Sequence, residues 1–352
     1  MSITDQTYRV SEGEYLRDIL DQPRALEATL ESLGAPDGLL PIVQRLKQTN
    51  LKRVVLTGMG SSFHALYPLH LFLSSRGCVT LLVETSELIH YLPKLLDPAT
   101  LIIAVSQSGW SAEIVRLLEM NEGLAQIVAV SNTAKSPLGS GADVVLLTSA
   151  GEEFSVSCKT YVTALMVLCQ IGALLGYADS GQTLRELAQA APAAAAYLNS
   201  WRDHVLALAA CLDKVDHVFL VGRGISLAAV GTGALIIKES VHYHAEGMSS
   251  AAFRHGPMEM ISGETFVGVF AGVETTRALN AKLLEDIRRK GGRAELIGAE
   301  ARLPSLRIPA VPESVLPILE ILPVQMITLA FAAQTGREAG QFSLASKVTT
   351  AE

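Results

Sequence analysis

Cysteine and excess positive charge are both scarce in this sequence. Only four cysteines occur in 352 residues, with no CxxC pair and no histidine nearby at metal-ligand spacing. We therefore expect reduced, mostly buried thiols. The formal net charge of -7 at pH 7 argues against a nucleic-acid partner and against an anionic membrane surface, because both require a basic face. An anionic ligand would have to be held by local hydrogen-bond donors.

An export signal and an uninterrupted apolar span are also missing. The N-terminal stretch has no apolar core of the kind that a signal peptide needs, which predicts a cytoplasmic protein. Two apolar runs cover residues 160–177 and 316–336, and the second carries Glu320 and Pro323. A membrane-spanning helix needs roughly 20 apolar residues with almost no charge or interruption. Both runs are therefore predicted to be buried core helices.

What the sequence does contain is a pattern that occurs twice. The run VVLTGMGSS at residues 54–62 is followed 164 residues later by VFLVGRGIS at 218–226. Further apolar strand-like runs and amphipathic helical patterns follow in each half, which is typical of parallel strands covered on both faces. We predict an α/β fold of two doubly wound parallel-sheet domains in tandem. The predicted segments are a helical lead-in over residues 1–35, a first domain over 36–190 and a second domain over 191–352.

Helical segments are predicted around these strands. The first forty residues indicate an amphipathic helix interrupted near Pro23, and the Ala-rich stretch between the repeats indicates helices interrupted at Pro192. A further helix-like run leads into HYHAEG at residues 242–247.

Two loops that follow predicted strands carry small hydroxyl side chains. The segment SQSGWSAE, residues 106–113, lies between a strand and a helix, where hydroxyls, backbone N–H groups and the helix dipole surround one point. The segment GMGSS, residues 58–62, would meet it at the same sheet edge. One such loop is more simply explained by helix capping, but two together favour an anion site. Dinucleotide binding is the weaker interpretation, because neither glycine loop has the third glycine of GxGxxG, although Glu84 stands near the place of a ribose-binding acid.

The motifs together resemble the sugar isomerase (SIS) domain family. Within that family they are similar to the isomerase half of glutamine:fructose-6-phosphate aminotransferase and to SIS-type glucosamine-6-phosphate deaminases. The resemblance is carried by GMGSS, SQSGWSAE, GEEFSVSCKTY, GRGISLAAVGTGALIIKESVHYHAEG, FRHGP and SLASKVTTAE. It implies flavodoxin-like SIS domains in which the first repeat holds the phosphate of a sugar phosphate through Ser61, Ser62, Ser106, Gln107, Ser108 and Ser111. No glutaminase domain precedes these motifs, so glutamine hydrolysis is not expected.

The same resemblance assigns the chemistry to three further residues. Glu239 matches the base of an aldose–ketose interconversion, and its apolar helical surroundings predict that burial raises its pKa; the alternative is a surface pair with Lys238. His255 matches a ring-opening histidine that is often supplied to the partner subunit's site, a role suited to its near-neutral pKa. Lys347 resembles a C-terminal lysine that approaches the open-chain sugar. Trp110 stands where close relatives often carry a smaller or acidic residue.

These matches imply a phosphosugar isomerase or deaminase. Its substrate would be a hexose phosphate or amino-sugar phosphate of the glucosamine 6-phosphate or fructose 6-phosphate type. No metal or organic cofactor is implied, because no ligand cluster is present and enediol chemistry needs only acid and base. The partners expected are a small-molecule sugar phosphate and a second copy of the chain in a homodimer. Two alternatives stay open: a fructosamine-6-phosphate deglycase and a non-catalytic sugar-phosphate sensor.

Overall fold

The strands of the protein form two parallel sheets. The computed structural model describes residues 10–36, 38–48, 50–344 and 346–349. In these ranges the strands are β1 (Arg53–Gly58), β2 (Thr80–Glu84), β3 (Thr100–Val105), β4 (Gln126–Ser131), β5 (Val144–Leu147), β6 (His217–Gly222), β7 (His244–Ser249), β8 (Thr265–Phe270) and β9 (Arg293–Ile297).

Helices precede, separate and follow these strands. The α-helices of the described ranges are α1 (Glu14–Leu20), α2 (Gln22–Ser32), α3 (Leu39–Lys47), α4 (Gly60–Ala65), α5 (Tyr67–Ser74), α6 (Thr85–Tyr91), α7 (Ala112–Asn121), α8 (Pro137–Gly141), α9 (Lys159–Gly172), α10 (Ser180–Leu187), α11 (Ala190–Leu198), α12 (Trp201–Cys211), α13 (Leu227–Val241), α14 (Ser250–Arg254), α15 (Glu274–Arg289) and α16 (Leu316–Thr335). Short 3-10 turns lie at Pro93–Leu95, Gly224–Ser226, Pro257–Met260 and Pro304–Leu306, and a π-helical turn at Ala173–Tyr177.

The first sheet has five parallel strands in the order β2-β1-β3-β4-β5. Its central strands are continuous runs of buried apolar residues, as expected where helices cover both faces. One face packs on α6 and α7, with Ile102 and Ile127 of the sheet in the same cluster as Leu88 and Ile114 of the helices. The predicted doubly wound pattern is present in this half.

The second sheet has four parallel strands in the order β7-β6-β8-β9. This order matches the first four strands of the other sheet, and β6 begins 164 residues after β1. Its core joins Phe219 and Val267 to Leu283 and Ile287 of α15. The duplication predicted from the glycine loops is therefore a repeat of strand order.

The chain divides into two compact units. The first-sheet unit comprises Arg24–Glu153, Lys159–Ala188 and the C-terminal segment from Leu344. The second-sheet unit comprises the chain up to Pro23, Phe154–Cys158 and Gln189–Ser343. Compared with the predicted segments, the C-terminal segment groups with the first sheet, and the chain up to Pro23 groups with the second.

Most of the predicted helices are confirmed, with two corrections. The helix break near Pro23 falls at Asp21, between α1 and α2. The predicted interruption at Pro192 is wrong: the break falls at residues 188–189, and Pro192 lies in the first turn of α11, where proline is tolerated. The predicted helical run into HYHAEG is wrong: α13 stops at Val241 with His242 in a left-handed cap, and His244–Ser249 is strand β7. β7 is an edge strand whose side chains are largely exposed, so it lacks the apolar pattern that marks the central strands.

Three helical stretches among the described residues are long and apolar enough to cross a membrane by length and composition. The apolar windows of Lys159–Tyr177, Gly224–Val241 and Leu316–Thr335 are 78%, 56% and 94% buried within the protein. The first and third correspond to the two runs predicted to be core helices, the third ending one residue before the run does.

The four cysteines all lie in the described ranges, and none forms a disulfide. Cys158 is fully buried, while Cys78, Cys169 and Cys211 are only partly so. The thiols are therefore less buried than the sequence predicts.

Candidate functional site

Two loops of the first-sheet unit leave the sheet side by side. Gly58 and Val105, the last residues of β1 and β3, are directly paired in register. The chain runs from Gly58 into α4 and from Val105 into the SQSG loop, residues 106–111. Because β1 and β3 flank the point at which the strand order reverses, the loops lie where doubly wound sheets bind ligands. Ser61 and Ser62 sit in the first turn of α4 and are partly exposed.

Internal hydrogen bonds fix the shape of the SQSG loop. The Gly109 N–H donates to Ser106 Oγ at 3.1 Å, and the Trp110 N–H donates to Ser108 Oγ at 3.1 Å. The Gln107 carbonyl accepts from the Asn132 N–H at 3.0 Å. Each serine hydroxyl that accepts a backbone N–H keeps its own proton, which it can donate to a ligand.

Gly109 is required by the backbone of this loop. Its φ is +68°, and a Cβ at this position would overlap the side chain of Ser136. Ser111 precedes α7 in an extended conformation, but its side chain makes no capping hydrogen bond. The helix-capping explanation therefore does not account for Ser111.

The described part of the C-terminal segment lies at the start of α7. The Ala112 N–H, in the first turn of this helix, donates to the Thr349 carbonyl at 3.1 Å. Lys347 Nζ lies 3.1 Å from Glu153 Oε2. The Glu153 side chain is only 1% exposed and accepts from the Thr160 N–H at 3.0 Å and from Thr160 Oγ1 at 2.7 Å. Lys347 thus forms an ion pair with a buried carboxylate whose orientation is fixed by Thr160.

Glu239 belongs to the second-sheet unit, in the last turn of α13. Burial raises its pKa from 4.5 to about 6, and the positive charge of Lys238 acts in the opposite direction. The carboxylate is therefore a stronger base than an exposed glutamate and is still ionised at neutral pH. The apolar helical run predicted this raised pKa.

His255 also belongs to the second-sheet unit, in the exposed turn after α14. Gly256 follows it with φ +135°, a conformation open to glycine and strained for other residues. Arg254 Nη2 lies 2.7 Å from Asp286 Oδ2 on α15, and this hydrogen bond lowers the pKa of Asp286. Arg254, which precedes His255, is thereby hydrogen-bonded to α15.

The predicted site residues thus fall into two sets. The first-sheet unit contains the serines of both loops and Lys347, while Glu239 and His255 lie in the second-sheet unit. Within the described ranges no three His, Cys, Asp or Glu side chains come together in an arrangement able to hold a metal ion.

Comparison with known proteins identifies the domain that carries the two serine loops. Residues 49–173 match the family model of the SIS domain. The chain contains a SIS domain. Its matched residues include both serine loops and Glu153, whereas Glu239, His255 and Lys347 lie beyond the matched range.

The similarity to complete proteins extends past the SIS domain. The chain is 30% identical over 349 residues to glutamine–fructose-6-phosphate aminotransferase (isomerizing) of Pyrococcus horikoshii, covering 96% of this chain and 57% of the relative. It is therefore homologous to the isomerase part of such enzymes and spans little more than half of their length.

Solved structures show the same fold. The C-terminal domain of glucosamine-fructose-6-phosphate aminotransferase from Francisella tularensis superposes with a TM-score of 0.83 at 21% identity, over 94% of this chain and 98% of that domain. Glucosamine-6-phosphate deaminase from Thermotoga maritima superposes with a TM-score of 0.75 at 17% identity, over 96% of this chain and 99% of that protein. At these identities the likeness concerns the fold.

Two buried carboxyl groups were not singled out from the sequence. Glu153 is one of two adjacent glutamates, and the sequence does not indicate which of them is buried, because its partner lies 194 residues away. Glu320 interrupts an apolar run, and in the sequence this indicates only that the run is a poor membrane span. It is fully buried on α16 and accepts from Ser226 Oγ at 2.7 Å, and burial raises its pKa to about 8.

Proposed function

We propose that the protein is a phosphosugar isomerase or deaminase acting on a hexose phosphate or amino-sugar phosphate of the glucosamine 6-phosphate or fructose 6-phosphate type. The observation that carries the proposal is the pairing of Gly58 with Val105, because it starts two serine-bearing loops at one point of a sheet that matches the SIS domain. The homology to glutamine–fructose-6-phosphate aminotransferases supports the substrate class.

The phosphate would be held without a basic side chain. Ser61, Ser62, Ser106, Ser108 and Ser111 offer hydroxyl protons, and Gln107 offers an amide. The first turn of α7 adds the positive end of a helix dipole. A neutral donor set of this kind suits an acidic protein, and it leaves the sugar end of the substrate free to reach a separate base.

Glu239 is proposed as that base. After His255 has moved a proton from the hydroxyl to the ring oxygen, the Glu239 carboxylate takes the proton from one carbon beside the carbonyl or imine and returns it to the neighbouring carbon. For glucosamine 6-phosphate this gives the imine of fructose 6-phosphate, which water hydrolyses to the ketose and ammonia. Lys347 is proposed to approach the open-chain sugar. No organic cofactor or metal takes part in this scheme.

The wider organisation is part of the same proposal. Residues 36–190 and 191–352 would be two SIS domains in tandem after the lead-in over 1–35. The protein would act in the cytoplasm as a homodimer, with His255 supplied to the partner subunit's site. Neither a nucleic acid nor a membrane is a proposed partner, given the net charge of -7.

A substrate panel tests the proposal. Glucosamine 6-phosphate should release ammonia and fructose 6-phosphate, or fructose and glucose 6-phosphates should interconvert. Release of an amino acid from fructosamine 6-phosphates would instead identify a deglycase. A thermal shift with sugar phosphates, without turnover of any of them, would identify a sensor and contradict the enzyme.

A further inference from the structure

The C-terminal segment is joined to the first-sheet unit at two points. One is the hydrogen bond from the Ala112 N–H to the Thr349 carbonyl, and the other is the ion pair of Lys347 with Glu153. Ser346 Oγ also donates to the Val348 carbonyl at 2.8 Å, which bends the segment between these two points. The segment thus closes against the same helix start that follows the SQSG loop.

Glu153 is the more buried partner of the ion pair. Its side chain is 1% exposed and Lys347 is 23% exposed, and both carboxylate oxygens are engaged by Thr160. Thr160 lies on α9, whose residues are almost all buried. The Glu153 carboxylate is held in one orientation, whereas a lysine side chain has many rotamers. The ion pair therefore fixes the position of the lysine ammonium group relative to Glu153.

We propose that Glu153 is a positioning residue that holds the C-terminal segment against the start of α7 and thereby places Lys347 beside the SQSG loop. The inference rests on the proposed function in so far as Lys347 acts on the sugar. The holding of the segment itself rests on the contacts alone.

The test compares Glu153→Gln, Lys347→Ala and the double variant, with Lys94→Ala as a matched control. Lys94 is an exposed lysine of the same unit. The first readout is hydrogen exchange at the Ala112 amide, which reports the bond to Thr349 without any substrate. We expect exchange about tenfold faster in both single variants, no further increase in the double variant and no change in the control.

Turnover is the second readout. With glucosamine 6-phosphate, Glu153→Gln and Lys347→Ala should each lower kcat by about 10- to 100-fold through misplacement of Lys347, and the double variant should lose no more. KM should stay nearly unchanged, since the serine hydroxyls are untouched. Unfolding curves separate this effect from a folding defect, because Lys347→Ala leaves Glu153 and Thr160 intact.

Two results would overturn the inference. One is Ala112 exchange in Glu153→Gln equal to that of the parent, and the other is additive losses of kcat in the double variant. If the parent turned over no sugar phosphate at all, the proposed function would fail, and the exchange readout would still decide whether Glu153 holds the segment.

Discussion

Glu239, the proposed base, carries an energetic cost of burial. Its folded-state pKa of about 6 lies above the ordinary 4.5, so the native state binds a proton more readily than the unfolded chain does. The stabilising effect of this shift is present below pH 4.5 and is lost as the pH rises through about 6. At neutral pH the charged carboxylate therefore destabilises the fold by up to about 2 kcal/mol. The same burial makes it a stronger base.

Glu239→Gln should separate these two effects. Proton transfer requires the carboxylate, so turnover should fall by at least about a thousandfold, while the free energy of unfolding at pH 8 should rise by up to about 2 kcal/mol. Assays of turnover and denaturant unfolding on the same preparations check both. Glu246→Gln, at an exposed position of β7, serves as the control and should keep full activity. Lower stability of Glu239→Gln would contradict the assigned cost of burial.

The pH dependence of activity follows from the same pKa. The base must be ionised in the free enzyme, so kcat/KM should rise tenfold per pH unit below about pH 6 and level off above it. Measuring kcat/KM from pH 4.5 to 8, over the pH range in which the protein stays folded, tests this. An acid limb with its midpoint near pH 4.5 would mean that Glu239 is not the group observed.

Glu320 makes a second pH-dependent contribution to stability, and it is not one of the residues proposed to act on the sugar. Its pKa of about 8 reflects complete burial, partly offset by the hydrogen bond from Ser226. The native state keeps a proton that the unfolded state releases near pH 4.5, so stability falls as the pH rises from 4.5 through 8.

Glu320→Gln should remove this pH dependence. Relative to the variant, the parent should lose roughly 3 to 4 kcal/mol of unfolding free energy between pH 5 and pH 8. Urea unfolding of both proteins at the two pH values measures the difference, and other titrating groups cancel in the comparison. A constant difference between parent and variant would show that Glu320 does not titrate with a raised pKa.

At the scale of elements, the SQSG loop depends on glycine for two separate reasons. Gly109 has a positive φ, and its missing side chain leaves room for Ser136. Gly123, after the end of α7, has a similar φ of +76° but nothing within 4 Å of the Cβ position. Comparing a substitution at Gly109 with one at Gly123 therefore separates the effect of backbone strain from the effect of steric overlap.

Gly109→Ala should disturb the proposed phosphate site more than Gly123→Ala does. Both substitutions should cost about 1 kcal/mol of stability through the positive φ. Only Gly109→Ala should displace the loop, raising KM for the sugar phosphate by about tenfold or more, because the serine hydroxyls move with it. Measured KM values and unfolding curves for both variants test this. Equal KM values would show that the loop does not bind the phosphate.

The strands β1, β3 and β8 were predicted correctly, because a strand buried on both faces has a continuous run of apolar residues in the sequence. The prediction failed for β7, because an edge strand exposes most of its side chains and so lacks the apolar run. The serine loops were predictable because their donors lie close together in the sequence. The ion pair of Glu153 and Lys347 was not, because it depends on how residues 194 apart meet.

At the scale of the whole molecule, two halves with the same strand order use their first loops differently. Ser226 lies 164 residues after Ser62. It is fully buried, and its hydroxyl donates a hydrogen bond to the buried Glu320. Ser62 is partly exposed at the surface of α4. Of the two matching serines, one is thus partly exposed beside the proposed phosphate site and the other is hydrogen-bonded in the interior.

The central claim is that the first sheet holds a sugar phosphate while Glu239 moves a proton between two carbons of the sugar. Its most direct measurement follows deuterium uptake from D2O into carbon-bound positions of fructose 6-phosphate and glucosamine 6-phosphate by NMR, in the parent and in Glu239→Gln, with binding of both sugars checked by thermal shift. The account predicts uptake at C1 or C2 with the parent and none with Glu239→Gln, although the variant still binds. Equal uptake by the two proteins, or binding without uptake by the parent, would contradict it.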